Sequence, residues 1–86
     1  MRYRLEISSR AAKELRKLPG SIRARIEAAI EGLADDPRPP RCQKLRGDAG
    51  WRIRVGDYRI LYDIQDDMLI VTVLRVGHRR DVYGDL

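Results

Sequence analysis

The chain has no phenylalanine, one cysteine, one histidine and one tryptophan. Without Phe, the core must be filled by Leu, Ile, Val, Trp51 and the four tyrosines. Cys42 has no second cysteine to pair with, and no Cys/His cluster points to a metal, so it reads as an ordinary free thiol and no cofactor is expected. No apolar run approaches the roughly 18 residues of a membrane span. The opening "MRYRLEI" alternates, unlike the apolar stretch of a signal peptide. A cytoplasmic protein without a membrane partner is the expectation. Repeats, low-complexity tracts and composition shifts are also lacking, so the 86 residues are expected to form one domain, 1–86. A chain of that size buries roughly 60–65% of its unfolded surface, enough for one modest core.

Lysine is scarce as well: of 18 basic residues, 15 are arginine. The net charge of +5 favours a polyanionic partner, either nucleic acid or an acidic protein. Arginine richness follows from genomic base composition as readily as from the bidentate grip of guanidinium on phosphate. Position separates the two.

"RYRLEIS", 2–8, reads as a strand in which Tyr3, Leu5 and Ile7 alternate with Arg2, Arg4 and Glu6. Ser8 or Ser9 can cap a helix carrying Ala11, Ala12, Leu15 and Leu18 on one stripe. Pro19-Gly20 breaks it, and Ser21 can cap a second helix with Ile22, Ile26, Ala29, Ile30 and Leu33 at helical spacing. Asp35-Asp36-Pro37 stops that helix, and an aperiodic loop with an extended portion follows. Three strands come next, at about 51–55, 58–64 and 68–76, joined by Gly56-Asp57 and Asp66-Asp67 as an antiparallel meander. The last, "MLIVTVLRV", is apolar on both faces, which makes it central, with the first strand on its free edge. The order β-α-α-β-β-β predicts an α+β domain: a helical hairpin packed on one face of a small, mainly antiparallel sheet.

Gly56-Asp57 suits a two-residue hairpin loop, which fixes register: Val55 opposite Tyr58, Arg54 opposite Arg59, Ile53 opposite Ile60 and Arg52 opposite Leu61. Trp51, Ile53, Val55, Tyr58, Ile60 and Tyr62 then face the helices, and Arg52, Arg54 and Arg59 share the other face. Opposed like charges destabilise a sheet by about 0.2–1 kcal/mol. A face selected for stability would hold Glu or Thr in one of these places, so an anion, best a phosphodiester, completes the site. The preceding loop adds Arg38, Arg41, Lys44 and Arg46 as candidates for binding RNA. The closing "VGHRRDVYGDL" adds His78, Arg79, Arg80 and Tyr83. Histidine is the side chain whose ordinary titration lies nearest neutrality. A tyrosine ring can stack on an unpaired base.

The element order, "KLRG" at 44–47, "WRIRVGDYRILY" at 51–62 and "VGHRRDVY" at 76–83 resemble the RelE family of the RelE/ParE toxin superfamily, over essentially the whole chain. The resemblance implies a type II toxin that enters the ribosomal A site and cleaves mRNA there without a metal, by attack of the ribose 2′-OH on the adjacent phosphorus. It places functional positions on Arg46, Arg52, Arg54, Arg59, Arg79 and Tyr83. It also implies an adjacently encoded RelB-like antitoxin, acidic where it contacts this chain, and operator DNA reached only through the toxin–antitoxin complex. Arg52 and Arg54 stand where the best-known pattern has lysines, and arginine does not give up its proton. The base is therefore sought in His78, by its chemistry, or Tyr83, by its position, and His78 is the expected one. A ParE-like inhibitor of DNA gyrase and a non-catalytic or attenuated nucleic-acid binder are the rival readings. The first of these, a protein–protein inhibitor, would not require the clustered arginines together with Tyr83.

Overall fold

A computed structural model of the chain describes residues 2–46 and 50–78. Its elements are β1 (Arg4–Ile7), α1 (Ser9–Arg16), α2 (Gly20–Asp35), β2 (Gln43–Lys44), β3 (Trp51–Val55), β4 (Tyr58–Gln65) and β5 (Ile70–His78). The five strands form one sheet in the order β1-β5-β4-β3-β2. β1 runs parallel to β5, and every other pairing is antiparallel. The α+β fold and the place of the first strand beside the last are as the sequence predicts. Among the described residues no helix is long and apolar enough to cross a membrane.

Ser8 both ends β1 and starts α1. Its backbone N–H donates to the Val73 carbonyl, its Oγ accepts from the Ala11 N–H at 3.0 Å, and its hydroxyl donates to the Leu74 carbonyl. α1 then lays Ala11 and Leu15 on the sheet, and α2 lays Ile26, Ile30, Leu33 and Ala34 there. They close over Ile53, Val55, Ile60, Tyr62, Val71, Val73 and Val76. α2 departs from expectation at its start. Pro19, with φ −55°, leads into a helix that begins at Gly20 without a side-chain cap, and Ser21 lies inside the first turn. Proline's fixed φ supplies the entry geometry that a capping hydroxyl was expected to secure.

The hairpin register is the predicted one at every position from Trp51–Tyr62 to Val55–Tyr58. Gly56, at φ +59°, supplies the left-handed turn conformation. β5 differs from expectation in two respects. Leu69 takes φ 55°, so the strand begins at Ile70 rather than 68, and it runs through Gly77 to His78. Between Leu61 and Tyr62 its register shifts: Leu61 pairs with Arg75 but Tyr62 pairs with Val73, leaving Leu74 as an extra, exposed residue.

β2 is the extended portion expected within the loop, but its pairing with β3 was not foreseen. It pairs Gln43 with Arg52 and Lys44 with Trp51. Two contacts hold the segment around it. The buried Tyr62 hydroxyl donates to the Pro37 carbonyl at 2.7 Å, and the Leu45 N–H donates to the Gly50 carbonyl at 2.8 Å. Burial pushes the Tyr62 phenol well above its ordinary titration range. Gly50, at φ +88°, lies so close to β4 that a Cβ would stand 2.6 Å from the Tyr62 carbonyl oxygen.

Gly50→Ala therefore adds both left-handed strain and a backbone clash. It should cost about 2 kcal/mol or more, a fall in Tm of roughly 8–16 °C for a domain this small, measured by thermal denaturation. An unchanged Tm would show that the β2–β3 connection yields freely.

Candidate functional site

Strand alternation and the tight turn bring Arg52, Arg54 and Arg59 onto the sheet face away from the helices, with Arg54 and Arg59 directly opposed. They do not form a solvated strip. Arg54 is exposed, but Arg52 and Arg59 keep only 7% and 3% of their surface. Leu61, opposite Arg52, is buried beside them. Holding guanidinium out of water costs several kcal/mol unless its donors are engaged. For Arg52 one acceptor is the Oε1 of Gln43, its cross-strand neighbour on β2. Gln43 is thus a site residue that sequence reasoning missed, because nothing in the aperiodic stretch marks a two-residue strand. Glycine stands opposite Arg59 on β5, so Gly77 sets no side chain against it on that face. At the turn, Arg54, Gly56, Asp57, Tyr58 and Arg59 line a small hollow of about 40 Å³.

His78 is not part of this cluster. It pairs with Tyr58, and the two rings meet edge to face, with centroids 5.6 Å apart. Tyr58 and Val76 belong to the helix side of the sheet, so His78 points there too, into a groove with Glu14, Lys17, Leu18 and Pro19. The register thus does not bring His78 together with the hairpin arginines. Arg59 has Gly77, not His78, opposite it.

The loop cations are also parted from the arginine face. Lys44 shares the helix side with its partner Trp51, and its Nζ lies 5.1 Å from the indole centroid. Arg38 lies over the same ring at 5.0 Å and donates two hydrogen bonds to Asp66, at 2.8 and 3.1 Å. Arg41 is exposed beside a groove with Arg25, Ala28, Ala29 and Val55. Arg46 is exposed just beyond β2. Arg79, Arg80 and Tyr83 lie outside the described residues. Two basic surfaces result, one on each side of the sheet, where the sequence suggested a single patch. Among the described residues no group of three or more His, Cys, Asp and Glu is placed to hold a metal ion.

Asp66 gathers the far end of the molecule. It accepts from Arg38 and, at 2.7 Å, from the Tyr3 hydroxyl, which hold its carboxyl down to about 2. The same hydrogen bond raises the Tyr3 phenol.

A family profile described as the ParE toxin of the type II toxin–antitoxin system parDE matches residues 5–83. The toxin RelG of Mycobacterium tuberculosis is 37% identical over 87 residues, covering 96% of this chain and 98% of RelG. The mRNA interferase toxin RelE of Escherichia coli is 32% identical over 90 residues, covering 99% of this chain and 94% of its own. The crystal structure of the M. tuberculosis toxin–antitoxin complex RelBE2 contains a chain that superposes with a TM-score of 0.79 at 34% identity, covering 92% of this chain and all of that one.

Two outcomes follow from the geometry. Arg54→Thr removes the exposed member of the opposed pair and should raise stability by about 0.2–1 kcal/mol in denaturant titration. The gain should shrink as salt screens the repulsion, and a loss of stability would mean that Arg54 has a structural role. Asp66 has a folded-state titration below its ordinary 3.8, so its contribution is present above that value and lost as pH falls through about 2. Asp66→Asn should flatten the acid limb of the stability curve between about pH 4 and 2. An unaltered limb would assign acid sensitivity to other carboxylates.

Proposed function

The chain belongs to the RelE family of the RelE/ParE toxin superfamily, and we propose that it is the toxin of a type II toxin–antitoxin pair that cleaves mRNA in the ribosomal A site. The observation that carries this reading is the opposed Arg54–Arg59 pair with Arg52 beside it on the face that the helices leave uncovered. Opposed guanidinium groups repel one another, and a phosphodiester between them would be gripped bidentately.

In the proposed reaction, the ribose 2′-oxygen attacks the adjacent phosphorus. The P–O2′ bond forms, the P–O5′ bond breaks, and the 5′-oxygen leaves as a hydroxyl after gaining a proton. The products are a 2′,3′-cyclic phosphate and a 5′-hydroxyl. Charge on the phosphorane-like transition state is met by Arg59 and Arg79, with Arg52 and Arg54 adding fixed positive charge, so no metal is required by this reading. Arg46 positions backbone phosphates, and Tyr83 stacks on or hydrogen-bonds near the attacked nucleotide. Arginine does not accept the 2′-proton. With His78 directed to the helix side, that role passes in this proposal to Tyr83 or to a group of the ribosome, which also supplies alignment. The second basic surface, Arg38, Arg41 and Lys44, is assigned to ribosomal RNA, and Arg80 to RNA near the site. Both assignments place the protein in the cytoplasm.

The partner we propose is a small RelB-like antitoxin, encoded next to the toxin and acidic where it meets the arginine face. The toxin–antitoxin assembly of RelBE2 supports it. Operator DNA would be reached only through that complex. Gyrase inhibition is the second reading, favoured by the family description naming ParE. The relative named an mRNA interferase and the arginine face favour cleavage.

Purified toxin should inhibit cell-free translation and leave gyrase supercoiling unaffected. The reverse result would sink the nuclease reading. On programmed ribosomes, Arg54→Thr and Arg59→Thr should each cut single-turnover cleavage by about two orders of magnitude. Circular dichroism checks that Arg59→Thr, a change at a buried position, remains folded. His78→Gln should stay within a few-fold of wild type, whereas Tyr83→Phe should fall roughly 10²-fold. A crippled His78→Gln would return the base to His78. Naked mRNA should be a poor substrate, and its rapid cleavage by nuclease-free toxin would overturn dependence on the ribosome.

A further inference from the structure

β1 covers the outer edge of β5 only from Ile70 to Val73. Beyond it, Ser8 takes the carbonyls of Val73 and Leu74. The next outward-facing N–H, that of Val76, has no strand to meet. It donates instead to Oε1 of Glu14 on α1, at 2.8 Å, while Oε2 of the same carboxylate accepts from Arg75 at 2.9 Å. Both side chains are mostly buried, with 13% exposure for Arg75 and 22% for Glu14. Arg10 approaches the same carboxylate at 4.0 Å. A helix side chain thus stands in for the missing strand, immediately after the extra residue Leu74.

That place matters because of phase. Without the extra residue, β5 would continue from Tyr62–Val73 to Leu61–Leu74 and Ile60–Arg75, which drives an arginine into the core and sets Val76 against Arg59. With it, Val76 enters the core and Gly77 falls opposite Arg59. A one-residue slip in a strand exchanges its two faces. Glu14 grips residues 75 and 76, the first two after the irregularity, and so holds the phase that places Gly77 beneath Arg59. Sequence reading placed Glu14 on a helix and gave it no function.

We propose that Glu14 is a positioning residue for RNA cleavage, which fixes the register of the last turnings of β5 and through it the seat of Arg59. The proposal rests on the nuclease reading above. Its bond to the Val76 N–H needs an acceptor, which glutamine also offers through its side-chain carbonyl, whereas alanine offers none.

The test uses the full chain with Glu14→Ala and Glu14→Gln. Amide hydrogen exchange at Val76 should accelerate at least tenfold in Glu14→Ala, while Val71 and Val73, sheltered by β1, stay protected. Single-turnover cleavage on programmed ribosomes should fall about 10–100-fold in Glu14→Ala, with affinity for the ribosome within a factor of about three. Glu14→Gln should keep Val76 protected and recover most of the rate. Unchanged Val76 exchange, cleavage by Glu14→Ala at the wild-type rate, a loss confined to ribosome affinity, or equal loss in both variants would each overturn the proposal. Should Glu14→Ala fail to fold, Glu14→Gln decides: near-wild-type cleavage supports an acceptor role, and a large loss overturns it. Absence of cleavage by the wild type counts against the nuclease reading, and the exchange comparison still decides whether Glu14 holds β5.

Discussion

The two-residue turn at Gly56-Asp57 is the constraint on which the rest hangs. A left-handed glycine allows β3 and β4 to pair with no slack, and strand alternation then leaves no choice of faces. Ile53, Val55, Ile60 and Tyr62 go to the core, and three arginines go to the opposite side. Both the apolar packing that stabilises the domain and the charge concentration that strains it come from one register. Neither can be altered by sliding a strand without losing the other.

Much of this was legible. The hairpin could be registered residue by residue because a short loop and strict alternation are both local signals. The first strand's place beside the last followed from an uninterrupted apolar run needing cover. What stayed hidden has equally local causes. "MLIVTVLRV" is apolar nearly throughout, so its phase is unmarked and the extra residue at Leu74 could not be seen. That unseen residue decides which way His78 points, in a stretch that was read as a polar tail beyond the strand. The pairing of β2 escaped notice because two residues cannot establish a period, and with it went the Gln43 contact to Arg52. The loop cations looked contiguous with the hairpin arginines along the chain. Lys44 pairs with Trp51 rather than with Arg52, and that single step of register sends it to the other side.

The site and the stability of the fold pull against one another in an ordered way. Arg52 and Arg59 are withdrawn from water and Arg54 is left exposed, so the three guanidinium groups share one face at different depths. A ligand that brings negative charge relieves repulsion that the protein already carries. The family relationship gives this a biological sense, since an anionic partner, whether RNA or an acidic protein, gains from the same relief.

Trp51 offers a consequence of a different kind. It is the sole tryptophan, half-buried on the β2–β3 seam, with the guanidinium of Arg38 and the ammonium of Lys44 both near its ring. Intrinsic tryptophan fluorescence from this protein therefore reports the seating of the 38–44 segment together with the margin of the core against which Trp51 packs. Emission and helical ellipticity watch different parts of the molecule. Where the two unfolding curves coincide, the seam and the core melt together, and where they separate, the gap measures how independently the loop lets go.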